Sequence, residues 1–256
     1  MANILNRYFC SVFSREGSVG TVIRNNSGKK LNSLEIREED VLEKIGNLKL
    51  GKAAGPDGIS ATFLIKCKEL IARPLTIIFN KSLKEGNVPQ DWKCANITPL
   101  FKKGCKQEPG NYRPISLTSI ACKILEGILK KEILEHINNE VPLNNSQHGF
   151  MTRRSCLTNL LEYLEKVTEI LDSGGSMDVI YLDFSKVFDK VPHQRLLNKL
   201  ENFGISGEIK SWIQNWLTGR TQRVVINGCK SDWELVLSGI PQDLVLGSFN
   251  ISTFYR

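Results

Sequence analysis

The sequence predicts an α+β fold. Three observations carry this: long stretches with apolar residues at helical spacing, short extended runs broken by turn dipeptides at 95–117 and 222–239, and one isolated apolar run at 178–184. With 256 residues and 41% apolar composition, the chain buries a sizeable core, as one large domain or two subdomains sharing an interface. Its 34 Lys and Arg against 27 Asp and Glu leave a net charge of +7, compatible with a polyanionic partner and equally with solvated lysine-rich helices.

Residues 35–50 carry Ile36, Val41, Leu42, Ile45 and Leu48 at helical spacing and stop at Gly51, which predicts a helix with a glycine end. GKAAGPDGIS is turn material. Helical spacing resumes over 60–85 through Phe63, Leu64, Leu70, Ile71 and Leu75, with Pro74 expected to separate two helices. ANITPLF and YRPISL then read as a hairpin whose loop, KKGCKQEPGN, is basic and rich in turn residues. Further helices are expected at 119–138 and 155–172, joined by a polar loop. Asp178 to Phe184 lacks polar alternation and reads as a buried strand. Pro192 suits the first turn of a helix running to Phe203 with Gly204 after it, and another helix spans about 207–217. QRVVING and DWELVLSG are two strand-like runs about the Asn227-Gly228 turn signal.

Seven cysteines at scattered positions, with no Cys-x-x-Cys pair and only three histidines, argue against a disulfide framework or a structural zinc site and fit a reducing compartment. The start MANILNRYFCSVFSREG has neither the charge pattern nor the cleavage site of a secretory signal, and no apolar run reaches the length of a membrane span. The expectation is an intracellular protein, nuclear or cytoplasmic, with no membrane partner.

The stretch richest in chemistry is IYLDFSKVFDKVPH, residues 180–193. Asp183 follows an apolar run, where a carboxylate either holds a metal ion or simply forms a turn and caps the next helix. Phe188 reads by itself as a core ring. Lys102 and Lys103 sit in the hairpin loop as exposed charges, and Arg113 beside Pro114 can pair with a carboxylate or reach a phosphate.

In order along the chain, GKAAGPDGIS, ITPLFKKG, NYRPISLTSIACKILEGIL, LNNSQHGF, RSCLTNLL, YLDFSKVFDKVPHQRLLNKL and SGIPQDLVLG resemble the successive blocks of the reverse transcriptases of non-LTR, LINE-type retrotransposons, the jockey-like branch in particular. The resemblance runs from about Leu34 to Gly247. It implies a right-hand polymerase: a lead-in segment at 1–34, a fingers-like region at 35–175, part of a palm at 176–247 and a divergent tail at 248–256. It further implies an RNA template, a DNA primer and deoxynucleoside triphosphates as substrates, with magnesium as the cofactor. Lys102, Lys103 and Arg113 match the cations that offset the incoming triphosphate. Asp183 matches the first metal-binding carboxylate, with the carbonyl of Phe184 as a further oxygen ligand. Phe188 matches the ring that excludes a 2′-hydroxyl, and Gln242 a glutamine beside the nucleotide.

Three departures from the family pattern matter. Asp243 stands where the family has glycine, adding bulk and a charge that repels phosphate. Met151 follows Phe150 where the family has arginine, with Arg153 and Arg154 displaced downstream. After Gly247 the sequence drifts from the pattern, and the family's paired-aspartate block has no counterpart. Two-metal chemistry needs carboxylates from more than one strand to bridge ions roughly 3.5–4 Å apart. The expectation is therefore a reverse transcriptase truncated within the palm, without thumb, that does not polymerise as it stands. The alternatives are a residual module binding RNA or an RNA/DNA duplex, and a relic reading frame without a selected role.

Overall fold

The computed structural model describes residues 1–14, 28–140, 148, 154–182 and 186–240. These form α1 (Ala2–Ser11), α2 (Glu38–Gly46), α3 (Ala61–Lys66), α4 (Lys68–Glu85), β1 (Cys94–Phe101), β2 (Tyr112–Leu117), α5 (Ile120–Glu140), α6 (Cys156–Asp172), α7 (Val187–Lys190), α8 (His193–Asn202), α9 (Gly207–Leu217), β3 (Thr221–Ile226), β4 (Cys229–Lys230) and β5 (Glu234–Leu235). The α+β class is as expected, and the helices and the predicted hairpin fall close to where the sequence puts them.

The helix boundaries follow local chemistry. At the start of α2 the Asp40 carboxylate accepts from the Arg37 amide at 3.1 Å. The helix stops at Gly46 and not near Gly51, because Gly46 and Asn47 are poor helix formers and the Leu48 amide closes back onto the Ile45 carbonyl. Ser60 caps α3 by accepting from the Phe63 amide. The break between α3 and α4 lies at Cys67, and Pro74, expected to separate two helices, sits inside α4. It is tolerated because it faces outward beside the exposed Leu70, where the carbonyl that loses its amide partner meets water. Ala72, Phe79 and Leu83 remain buried on the other face of α4. Pro192 precedes the first turn of α8 as its N-cap.

The main core lies among α2, α4, α5, α8 and α9, with Phe79, Leu125, Leu129, Leu200, Trp212 and Trp216 at its centre. Each fully buried ring or branched side chain contributes roughly 1.5–3 kcal/mol. The two indoles stack with their centroids 6.4 Å apart, and each N–H finds an acceptor: Trp212 donates to the Ser82 hydroxyl at 2.9 Å and Trp216 to Glu126 at 3.2 Å. Glu126 also accepts from the Cys122 thiol, and Arg220 lies over the Trp216 ring and donates to its carbonyl. Burial raises the Glu126 carboxyl above its ordinary value and pushes the Arg220 guanidinium down.

The sheet runs β2-β1-β3-β4, with β5 also on β3. β1 and β2 are antiparallel, pairing Phe101 with Tyr112, while β1 and β3 are parallel from the Cys94–Thr221 pair. Of the second expected run, 232–239, only β5 is a strand, and the unexpected β4 precedes it. Asn227 and Gly228 turn the chain into β4, whose Cys229 pairs Ile226, and β5 resumes the pairing lower on β3. Between the two pieces Ser231 continues the ladder, its amide donating to the Val224 carbonyl and its hydroxyl accepting from the Val224 amide. A smaller core seats Leu5 and Phe9 of α1 on Ala95, Ile97 and Val224.

The run at 178–184 departs from expectation. Residues 178–182 form no strand and are exposed, Ile180 and Leu182 at 83% and 87%. An apolar run becomes a buried strand only where it pairs with a sheet, and residues 178–182 pair with none of the described strands.

Two outcomes are expected. Replacing Pro74 with Ala restores a helical amide on an exposed face and raises the unfolding free energy by about 2 kcal/mol, measured by urea titration. The raised Glu126 value means that the folded state holds this proton more tightly than the unfolded state does. Its stabilising contribution is full below the ordinary carboxyl value and is lost as pH rises through the folded value. Glu126→Gln removes that loss, so its stability relative to the native chain improves as pH rises above the ordinary carboxyl value, and equal pH slopes for both proteins would refute the assignment.

Candidate active site

The sheet, α1, α7 and the segment after β5 enclose a narrow cleft. Ala95 and Ile97 of β1, Pro114 and Ser116 of β2, Phe188 and Asp189 of α7, and Gly239 line it. Backbone geometry fixes α7 there. The Ile240 amide donates to the Phe188 carbonyl at 2.7 Å, and the Gly239 amide to the Val191 carbonyl at 2.9 Å. The Ser238 hydroxyl donates to the Asp189 carbonyl and accepts from the Ser14 amide. His193 closes the arrangement by donating from Nε2 to the Gly239 carbonyl at 2.7 Å.

Gly239 is obligatory in this arrangement. Its φ is +81°, and a Cβ would stand 2.4 Å from the Phe188 carbonyl oxygen. The SGI of SGIPQ and the PH of DKVPH are thus two halves of one backbone clasp. Sequence reasoning singled out Phe188 and passed over Ser238, Gly239 and His193. The available signal was a Ser-Gly pair and a Pro-His pair flanking a loop, a pattern whose partners become visible only once the loop is closed.

The hairpin carries the cations Lys102, Lys103 and Arg113, none of which lines the cleft. Lys102 and Lys103 directly follow β1, and the Lys102 amide donates to the Asn111 carbonyl at 2.9 Å. Asn111 donates from its side chain to the Cys105 carbonyl, and the Tyr112 hydroxyl to the Lys106 carbonyl, so the loop is braced from within. Asn111 is a second residue that sequence reasoning missed, although its place just before YRP was visible. Arg113 pairs in register with Leu100, and both are exposed. Strand alternation puts Arg113 on the face opposite Pro114 and Ser116, so Arg113 and Phe188 do not share the cleft. Lys102, Lys103 and Arg113 have no ion-pair partner among the described residues.

Tyr8 of α1 lies between these two parts. Its hydroxyl would be 2.9 Å from a Cβ on Gly110 in the hairpin loop, and Lys186 donates to that hydroxyl at 3.0 Å while its ammonium sits 4.6 Å from the ring centroid. Asp183, Phe184, Gln242, Asp243, Met151 and Arg153 lie outside the described residues. Among the described residues no three His, Cys, Asp or Glu side chains gather to hold a metal ion, so this part of the chain supplies no complete metal site of its own.

Upstream, the RSCLTNLL block is a helix start. Ser155 accepts from the Thr158 amide and the Thr158 hydroxyl accepts from the Ser155 amide, a reciprocal cap. His148 donates from Nε2 to Glu162 of α6 at 2.8 Å. The Lys166 ammonium and then His148 hold the Glu162 carboxyl below its ordinary value.

Comparison with known proteins accounts for this set of blocks. Residues 101–254 match the family model of the reverse transcriptase (RNA-dependent DNA polymerase). The chain is 27% identical over 86% of its length to a probable RNA-directed DNA polymerase from transposon BS of Drosophila melanogaster, and 29% identical over 84% to the RNA-directed DNA polymerase from mobile element jockey of Drosophila funebris. It is also 28% identical over 85% of its length to a putative 115 kDa protein in the type-1 retrotransposable element R1DM of Drosophila melanogaster. It spans 24%, 24% and 20% of these relatives, respectively. The chain belongs to the reverse transcriptase family, in its jockey-like non-LTR branch.

Proposed function

We propose that the chain forms the fingers and the front of the palm of an RNA-directed DNA polymerase that takes an RNA template, a DNA primer and deoxynucleoside triphosphates. The observation that carries this reading is the family match from residue 101 onward, which begins at the end of β1, immediately before the paired lysines. Lys102, Lys103 and Arg113 are then the cations that offset the triphosphate. They suit that role because Lys102 and Lys103 beside the braced loop and Arg113 on β2 are exposed to solvent and form no ion pair among the described residues.

Phe188 stands against the sugar, and its ring position is set by the clasp of Gly239 and Ile240 on α7. The clasp fixes the backbone that carries the ring, so the ring projects from one set position, as exclusion of a 2′-hydroxyl requires. Gln242, two residues beyond the clasp, contacts the nucleotide. The family uses divalent metal ions, and Asp183, with the Phe184 carbonyl, would contribute to holding a magnesium ion that lowers the barrier by neutralising phosphoryl charge. No Asp-Asp pair occurs among the 256 residues, so the carboxylates that complete such a site are not available from an aspartate pair of this chain.

The 256-residue chain is therefore expected to bind a triphosphate without extending a primer. Replacing Lys102 and Lys103 together with Ala weakens triphosphate binding by roughly tenfold or more, read by fluorescence titration with a labelled deoxynucleotide. The urea midpoint stays unchanged, because both side chains are exposed. Primer extension on an RNA template with magnesium supplies the counter-test: incorporation by the chain alone, abolished in Asp183→Ala, would show that no second carboxylate pair is needed.

A further inference from the structure

A groove of about 570 Å³ runs between the C-terminal end of α2 with the turn after it and one face of α5, away from the cleft described above. Lys44, Lys49, Lys52, Lys123, Lys130 and Lys131 line it, and no Asp or Glu does. Its floor is apolar, formed by Leu48, Ile120, Ile124 and Leu134. Lys44 and Lys130 are half-buried and stand close enough to repel, and neither meets a carboxylate among the described residues. Burial, and then the charge of Lys44, holds the Lys130 ammonium below its ordinary value.

One end of the groove is fixed to the hairpin. Gly55, in the turn after Lys52, lies so close to the junction of β2 and α5 that a Cβ there would be 2.5 Å from the Thr118 carbonyl carbon. β2 then leads from this junction to Arg113, a run of about 20 Å at strand rise. From Ile120 to Leu134 the groove follows α5 for about 21 Å.

We propose that this groove is a second binding site, which holds the sugar-phosphate backbone of a single nucleic-acid strand on the far side of the hairpin from the cleft. Charge complementarity argues for this occupant. Lys44, Lys49, Lys52, Lys130 and Lys131, with no carboxylate lining the groove between them, match a polymer bearing one charge per residue. Lysine acts as a point charge and does not fork onto a base edge, and Asn47 is the one neutral lining residue whose side chain is able to hydrogen-bond, so recognition is of the backbone and indifferent to sequence. The apolar floor accommodates the face of a sugar or base without demanding a partner. A groove of this size takes one strand and not the cross-section of a duplex. The inference rests on the polymerase reading for its biological sense, since a template must travel past the fingers as single strand, but the binding itself is measurable apart from it.

Fluorescence anisotropy of end-labelled U12 RNA and T12 DNA with the 256-residue chain tests the site. In Lys130→Gln/Lys131→Gln, both strands are expected to bind roughly tenfold more weakly at 50 mM salt, with the salt slope reduced by about 1.4, or 0.7 for each lost charge. The exposed turn supplies a second variant, Lys49→Gln/Lys52→Gln, with the same direction of effect and no burden on folding, and circular dichroism melts verify that both variants are folded. Triphosphate binding, which reports on the hairpin, is unchanged in the groove variants. If strands still bind through the groove while no triphosphate binds at all, the nucleotide reading fails and the groove stands. Unchanged strand affinity and slope in both folded variants would overturn the proposal, as would tighter binding of an acidic, leucine-bearing helical peptide than of either strand.

Discussion

The parallel pairing of β1 with β3 is the constraint on which the arrangement depends. It joins residues 127 positions apart in the chain, with the Cys94–Thr221 pair at one end and a hydrogen bond from Arg223 to the Asn96 side chain at 2.8 Å within the run. Without it β1 and β2 would be a two-stranded ribbon, which is marginal in water. With it the hairpin becomes the edge of a larger sheet, α1 gains a surface to cover, and the cleft acquires its floor. Residues expected on sequence grounds to belong to separate fingers and palm regions therefore share one sheet.

The pairing is anchored to the helical core through Arg220, the residue before β3. Its guanidinium stacks on Trp216 of α9, near Glu126 of α5. This is a costly way to connect two parts of a fold, because Glu126 Oε2 and Arg220 Nη2 are both buried without a hydrogen-bond partner. What it supplies is position. A buried charge has few tolerable environments, so the end of α9 and the start of β3 are held to one relative placement, and the register of β3 on β1 follows. The two tryptophans, each with its N–H satisfied, make the surrounding core intolerant of any other rotation of α9.

How well each element could be read from the chain depended on whether its determinants are local. The hairpin, the caps of α3 and α6 and the turn at Asn227-Gly228 are set by neighbours in sequence, and each appears where its turn or capping residues put it. Pro74 misled because local sterics were outweighed by burial of Ala72, Phe79 and Leu83 on the opposite face of α4. The run at 178–182 misled for the converse reason: apolar composition describes an appetite for burial, and a strand also needs an edge to pair with. At the candidate site the paired lysines, Arg113 and Phe188 were visible through their blocks. Ser238, Gly239, His193 and Asn111 were not, since each meets a backbone group that is distant in the chain or hidden in a loop. The opposite faces of β2 on which Arg113 and Pro114 lie follow from simple alternation, yet which face borders the cleft depends on α1 and α7.

The seat of α1 has a consequence for how the protein is made. Its ten residues are synthesised well before β3, which supplies their surface, and Asn3 and Asn6 take their partners at Asp232. Ile97 and Ala95 alone offer only part of that seat. The helix must therefore wait, amphipathic and uncovered, until more than two hundred further residues have been synthesised, a delay of tens of seconds at about 5–20 residues per second. Helix α1 thus docks only after β3 has been made, and for that interval its apolar face is available to chaperones and to other nascent chains.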